Sequence, residues 1–176
     1  MAFRPLPMQA IQRRRPIMKF KKILYAADLS ADSNDTFSKA MDLAETFDAK
    51  LHILHVVEEL PPGAVAMLQW VNTEKITKKH YEDFQKHGVE KIRASIHEIC
   101  DEVFKDRPSC RQRIEGITVS IGYPADEILK KLDDLGCDAL IMGTHGKGAI
   151  THAFLGSTAE RVLRRVRKPA IVLPMA

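Results

Sequence analysis

Apolar residues along this chain change their period several times, and each change marks an element. Residues 21–30, KKILYAADLS, open with a short apolar run and close in small and polar residues, the pattern of a buried strand running into a loop. Between 33 and 47, Phe37, Ala40, Met41 and Ala44 recur at steps of three and four, which predicts a helix with one apolar stripe. KLHILHVVEE (50–59) predicts a second strand, and LPPGA (60–64) then interrupts regular structure. A long amphipathic helix follows over about 73–105, where Tyr81, Phe84, Gly88, Ile92, Ile96, Ile99 and Val103 keep helical spacing and Gly88 is a place for it to bend. GITVSIG (116–122) is a third strand. Pro124 at a first helical position, with Asp126 and Glu127 behind it, starts a helix that Gly136 ends. DALIMG (138–143) as a fourth strand, a helix over about 157–166 and AIVLP (170–174) as a fifth strand complete the chain.

Short, mostly apolar strands alternating with helices predict a parallel sheet covered on both faces. Right-handed crossovers make this a doubly wound, Rossmann-like α/β domain with five parallel strands. A length of 176 residues, 45% hydrophobic and 28% charged, suits one globular domain, expected over 19–176. No stretch approaches the roughly 18 apolar residues of a membrane-spanning helix, so no membrane role is expected.

The net charge of +4 hints at a nucleic-acid partner until it is located. Residues 1–22 carry Arg4, Arg13, Arg14, Arg15, Lys19, Lys21 and Lys22 and no acid; the remainder, with 20 basic residues against all 23 acidic ones, has a net charge of −3. The basic character belongs to the terminus and not to the folded body, which argues against nucleic-acid binding. Residues 1–18, with three prolines and an arginine run but no periodicity, read as a disordered basic extension. They lack the apolar core of a secretory signal and the serine content of a transit peptide. Cys100, Cys110 and Cys137 show no CxxC spacing, so neither a disulfide framework nor a zinc site is expected, and the thiols fit a reducing cytoplasm.

In open α/β sheets ligands gather at the carboxyl ends of the strands, near the point where strand order reverses. Three such ends stand out: Ala26, Ala27 and Asp28 after the first strand, Val56 and Val57 after the second, and MGTHGKGAITHAFLGST (142–158) after the fourth. Gly143, Gly146 and Gly148 free the backbone for positive φ and for close approach of a ligand. Gly156, Ser157 and Thr158 lead into a helix whose first amides and dipole favour an anion, and Lys147 adds a cation. Two familiar phosphate motifs are absent, because Gly143 stands too near Gly146 and Lys147 for a P-loop and Thr151 replaces the last glycine of G-x-G-x-x-G. A structural reading covers the same residues: Ser157-x-x-Glu160 spells a capping box, and glycines serve turns. Generic chemistry leaves cradle and structural loop as equal alternatives. His52 and His55 look like a metal pair, but an offset of three on a strand points them to opposite faces, so no metal site is assigned.

Spacing separates those alternatives. Gly143-x2-Gly146-x9-Gly156-Ser157 matches G-2x-G-9x-G-(S/T), and IMGTHGKG resembles the fourth strand and loop of the universal stress protein (UspA-like) family, in its ATP-binding subgroup. KKILYAADLS is similar to that family's first strand and Asp-bearing loop, ILHVVEE to its second strand and KPAIVLP to its last, so the resemblance runs from Lys21 to Pro174. The departures are the basic stretch before Met18 and Ala26, where many relatives have proline.

The resemblance implies an ATP site. Asp28 would meet the adenine or ribose side, Ala26 and Ala27 would line the base, and Val56 would meet adenine. Met142, Gly143, His145, Gly146 and Lys147 would run along ribose and phosphates, with Gly156, Ser157, Thr158 and Ala159 closing on the phosphates. It also implies a cytoplasmic stress-response regulator and a homodimer through strand 170–174, an apolar edge that invites pairing. ATP, ADP or AMP is the expected ligand, with Mg²⁺ arriving on the nucleotide and not in a protein cage. Hydrolysis needs an oriented water or base and charge stabilisation at the γ-phosphate. No acid lies between Asp138 and Glu160, which leaves Asp28 as the one obvious carboxylate to face the site. No catalytic residue is assigned, and the expectation is a binder with at most weak hydrolysis. A slow ATPase or nucleotidyl-transferring enzyme of the same fold, and a nucleotide-free interaction module, are the alternatives.

Overall fold

A computed structural model describes residues 19–28, 33–58, 78–105, 111–144 and 155–174. Along them follow β1 (Lys22–Ala27), α1 (Ser33–Thr46), β2 (Lys50–Glu58), α2 (Lys78–Val103), β3 (Ile114–Gly122), α3 (Pro124–Asp134), β4 (Ala139–Gly143), α4 (Ser157–Leu163) and β5 (Ala170–Leu173). The strands form one parallel sheet in the order β3-β2-β1-β4-β5, the doubly wound arrangement that the alternation predicts.

Successive side chains of a strand point to opposite faces, so each strand feeds two cores. Ile23, Tyr25, Leu51, Ile53 and Ile141 join Phe37, Met41 and Ala44 of α1 and Ile96 and Cys100 of α2 on one face. Leu24, Leu54, Leu140 and Met142 join Ile128 and Leu132 of α3 and Ala159 and Val162 of α4 on the other. Burial on both faces is why these strands read as nearly continuous apolar runs. The amino end of β1 is pinned to β4 by one carboxylate: Asp138 Oδ2 accepts the backbone N–H groups of Lys21 at 2.7 Å and Lys22 at 3.0 Å. Phe20, also buried, meets Phe47 edge to face at 4.9 Å.

Several boundaries differ from the apolar pattern; α2 ends at Val103 and not near 105, while 73–77 lie outside the described residues. β3 starts at Ile114, two residues earlier than GITVSIG suggests, because the register slips between Leu51, opposite Ile114, and His52, opposite Gly116. That bulge absorbs Glu115, whose carboxylate lies 2.8 Å from Lys22 Nζ. α4 ends at Leu163 and not near 166, although the turn that follows still carries Val166 N–H to Val162 O at 2.8 Å. Pro124 opens α3, and Gly136 follows it at φ 62°, as their positions predict. Cys100 and Cys137 are free, buried thiols pushed up to about 11 by burial; Cys110 lies outside the described residues. No helix among the described residues is long and apolar enough to cross a membrane.

His52 and His55 do point to opposite faces. The His52 ring lies against Gly116, where an added Cβ would stand 2.9 Å from ring Cε1, and its Nε2 is 2.8 Å from Thr118 Oγ1. Burial first, then the Lys22 ammonium, lower the His52 pKa below 6.5, with Glu115 acting in the opposite sense. The unfolded chain therefore takes up this proton at a higher pH than the native one. The stability His52 contributes is complete above the unfolded pKa and is lost as pH falls through the folded value. Between pH about 7.5 and about 5.5 the thermal midpoint of the wild type is expected to fall more than that of His52→Gln. Parallel melting curves at the two pH values check the difference.

Candidate functional site

Strand order reverses at β1, with β2 and β3 on one side and β4 and β5 on the other. α1, which follows β1, packs on one face, and α4, which follows β4, packs on the other. The helices that follow β1 and β4 thus pack on opposite faces, and in an open α/β sheet this is the place where a ligand crevice forms, between those two strand ends.

The register brings Ala26, Ala27, Asp28, Val56, Met142 and Gly143 together at those strand ends. Ala26 pairs with Met142, so Ala27 and Asp28 stand beside Gly143 and Thr144. On the other side Ala27 pairs with His55, which puts Val56 next to Asp28. Ala26, Val56 and Met142 share the face covered by α3 and α4. Tyr25, stacked on Phe37 at 5.6 Å, has its hydroxyl pKa raised by burial and, second, by the negative charge of Asp28.

The glycine stretch is closed at its base by backbone. Thr144 N–H donates to Leu173 O at 2.9 Å, and Gly156 N–H donates to Thr144 O at 2.8 Å. Residues separated by the whole loop are thereby joined next to β1. His145, Gly146 and Lys147 lie outside the described residues, as does Gly148.

Two local expectations are corrected here. Positive φ among described glycines is confined to Gly122 and Gly136, and Gly143 is the last residue of β4, in register with Leu173. Gly156 has φ −59° and ψ 148°, a backbone open to any residue. At both positions the backbone itself does not call for glycine, and what glycine supplies is the absence of a side chain. The capping box also fails. Gly156 occupies the N-cap, so Ser157 is already the first helical residue and makes no capping hydrogen bond, while Glu160 pairs with Arg164 at 2.6 Å. The first intrahelical bond is Glu160 N–H to Gly156 O at 2.9 Å, so the amides of Ser157, Thr158 and Ala159 precede it. Ser157 is exposed, whereas the Ala159 methyl is buried in the core, leaving only its backbone to face a ligand.

Sequence reasoning missed one residue at this place. His55 is buried, and its Nδ1 lies 2.7 Å from the Ala27 carbonyl oxygen. The signal was the second histidine of a mostly apolar strand, the one nearer its carboxyl end.

The model of the universal stress protein family matches residues 19–174. The chain belongs to that family. A universal stress protein of Methanocaldococcus jannaschii is 28% identical over 155 residues, 88% of this chain and 94% of the relative. Its solved structure covers 90% of this chain and 99% of its own at 23% identity, with a TM-score of 0.63. A second relative, from Synechocystis, is 26% identical over 160 residues, 90% of this chain and 88% of its own. A universal stress protein solved in complex with cAMP covers 90% of this chain and 100% of its own at 21% identity, with a TM-score of 0.55. The five-stranded α/β fold of this chain is thus that of the universal stress proteins.

Proposed function

We propose that this universal stress protein binds an adenine nucleotide, ATP foremost and ADP or AMP besides, as a regulatory ligand. The observation that carries this reading is the meeting of Asp28, Val56, Gly143 and Gly156 at the crevice, with glycine at the last two although neither backbone needs it. A cradle in which a side chain would stand against a ligand explains that choice. The same-fold relative in complex with cAMP supports an adenine ligand.

In this reading Asp28 holds the base or ribose side, with Ala26 and Val56 lining the base and Ala27 offering its backbone there, since its methyl packs on the opposite face. Carbonyls alternate along β1, and Lys21 O accepts Lys50 N–H at 2.8 Å, so the Ala27 carbonyl also faces β2. Met142, Gly143, His145, Gly146 and Lys147 follow ribose and phosphates. Gly156 and the amides of Ser157, Thr158 and Ala159 close on the phosphates. Mg²⁺ enters with the nucleotide. Regulation and not turnover is the role, in a cytoplasmic homodimer joined through β5, which is an edge strand of the sheet.

Equilibrium titration with fluorescently labelled ATP is expected to give saturable binding, and mass spectrometry of the denatured protein to release an adenine nucleotide. No saturable binding overturns the reading. Multiple-turnover phosphate release well above a Gly156→Val control converts it into an ATPase.

A further inference from the structure

We propose that His55 is a positioning residue of this site, holding Asp28 and Val56 in place through the Ala27 carbonyl; this rests on the adenine-nucleotide reading above. The two registers at the carboxyl end of β1 end one residue apart. Its last pair with β4 is Ala26 with Met142, whereas its last pair with β2 is Ala27 with His55. The Ala27 carbonyl faces β2 at the last position of that register, next to Asp28.

His55 adds a side-chain hold on that carbonyl. Its Nδ1 stands 2.7 Å from Ala27 O, and since a carbonyl only accepts, Nδ1 carries the proton. The bond joins the residue before Asp28 to the residue before Val56, so one contact sets the spacing of two residues proposed to face the ligand. Its ring lies on the α1 and α2 face, with Leu51 and Ile53, and not on the face of Val56, so it acts from behind the site without touching a nucleotide. An apolar residue would fill the space equally well and leave that carbonyl with one restraint fewer.

Asparagine and leucine separate positioning from packing. The Asn side-chain amide reaches the place of Nδ1 and donates from it, whereas Leu fills the space without a donor. His55→Leu is expected to weaken labelled-ATP binding by about fivefold to tenfold, the worth of a buried hydrogen bond and the alignment it gives. His55→Asn is expected to bind within about threefold of wild type, although the smaller side chain lowers its thermal midpoint. Rescue of affinity by Asn without rescue of stability is the signature, because a purely structural histidine predicts affinity following the melting temperature in both variants. Leu binding as wild type, or Asn losing as much as Leu, overturns the role of His55 and leaves the nucleotide reading intact. Absence of saturable binding to the unsubstituted protein overturns both.

Discussion

Gly156→Val is expected to lower ATP affinity by about a hundredfold, ~2.7 kcal/mol, while the protein without nucleotide melts within a few degrees of wild type. The asymmetry comes from the backbone. At φ −59° and ψ 148°, Gly156 occupies a region that valine adopts readily, so the substitution stores little strain in the chain. As the N-cap of α4 it contributes no side-chain hydrogen bond that valine would remove. Its amide to Thr144 O, 2.8 Å, is a backbone bond that survives the change. What valine adds is a branched side chain at the mouth of the crevice, where the phosphates are proposed to lie. Titration of labelled ATP beside a thermal melt reads both quantities. Unchanged affinity would remove the phosphates from Gly156 and leave its spacing from Gly143 a structural matter.

Leu140→Ala is expected to destabilise by about 2–5 kcal/mol and to lower the thermal midpoint by roughly 5–15 °C. Leu140 is fully buried in β4, paired with Leu24 of β1 on one side and Ala170 of β5 on the other. It packs in the cluster that includes Ile128 and Leu132 of α3 and Val162 of α4. With strands on both sides and helices above, neighbours cannot collapse into the space, and the unfilled cavity adds to the lost transfer energy. Leu163→Ala, one position beyond Val162, is the control. Its side chain is 37% exposed, and a change of about 0.5 kcal/mol is expected. At 100 times its dissociation constant a nucleotide would add about 2.7 kcal/mol to wild type and to the Leu140 variant alike, so an equal midpoint shift with ATP shows that the variant's folded form keeps the site.

Much of the fold was legible because its signals are local. The stripe of Phe37, Ala40, Met41 and Ala44 buries as its spacing predicts, and the apolar runs become the buried strands. Where expectation and structure part, the deciding partner is distant in the chain. The pattern placed the start of β3 at Gly116; pairing with Leu51 moved it to Ile114 by tucking Glu115 into a bulge beside Lys22. Ser157 and Glu160 spelled a capping box, yet Gly156, tied to Thr144, took the N-cap. His52 and His55 looked alike in HILHVV. One ring rests on Gly116 and Thr118 of β3, and the other reaches the Ala27 carbonyl of β1.

The residues proposed for the site divide in the same way. Glycine spacing after a strand, and an aspartate at the end of another, are properties of short stretches, and the sequence by itself determined them, together with the alternation of strand and helix. Period and composition act over a few residues and need no partner. Only the tertiary structure decided that β1 would lie between β2 and β4. That order sets Asp28 beside Val56 and Gly143, and it turns the Ala27 carbonyl toward β2 and His55. Those relations depend on backbone hydrogen bonds between segments as much as 116 residues apart, such as Ala26 with Met142, and no local pattern encodes which strand becomes the neighbour of which.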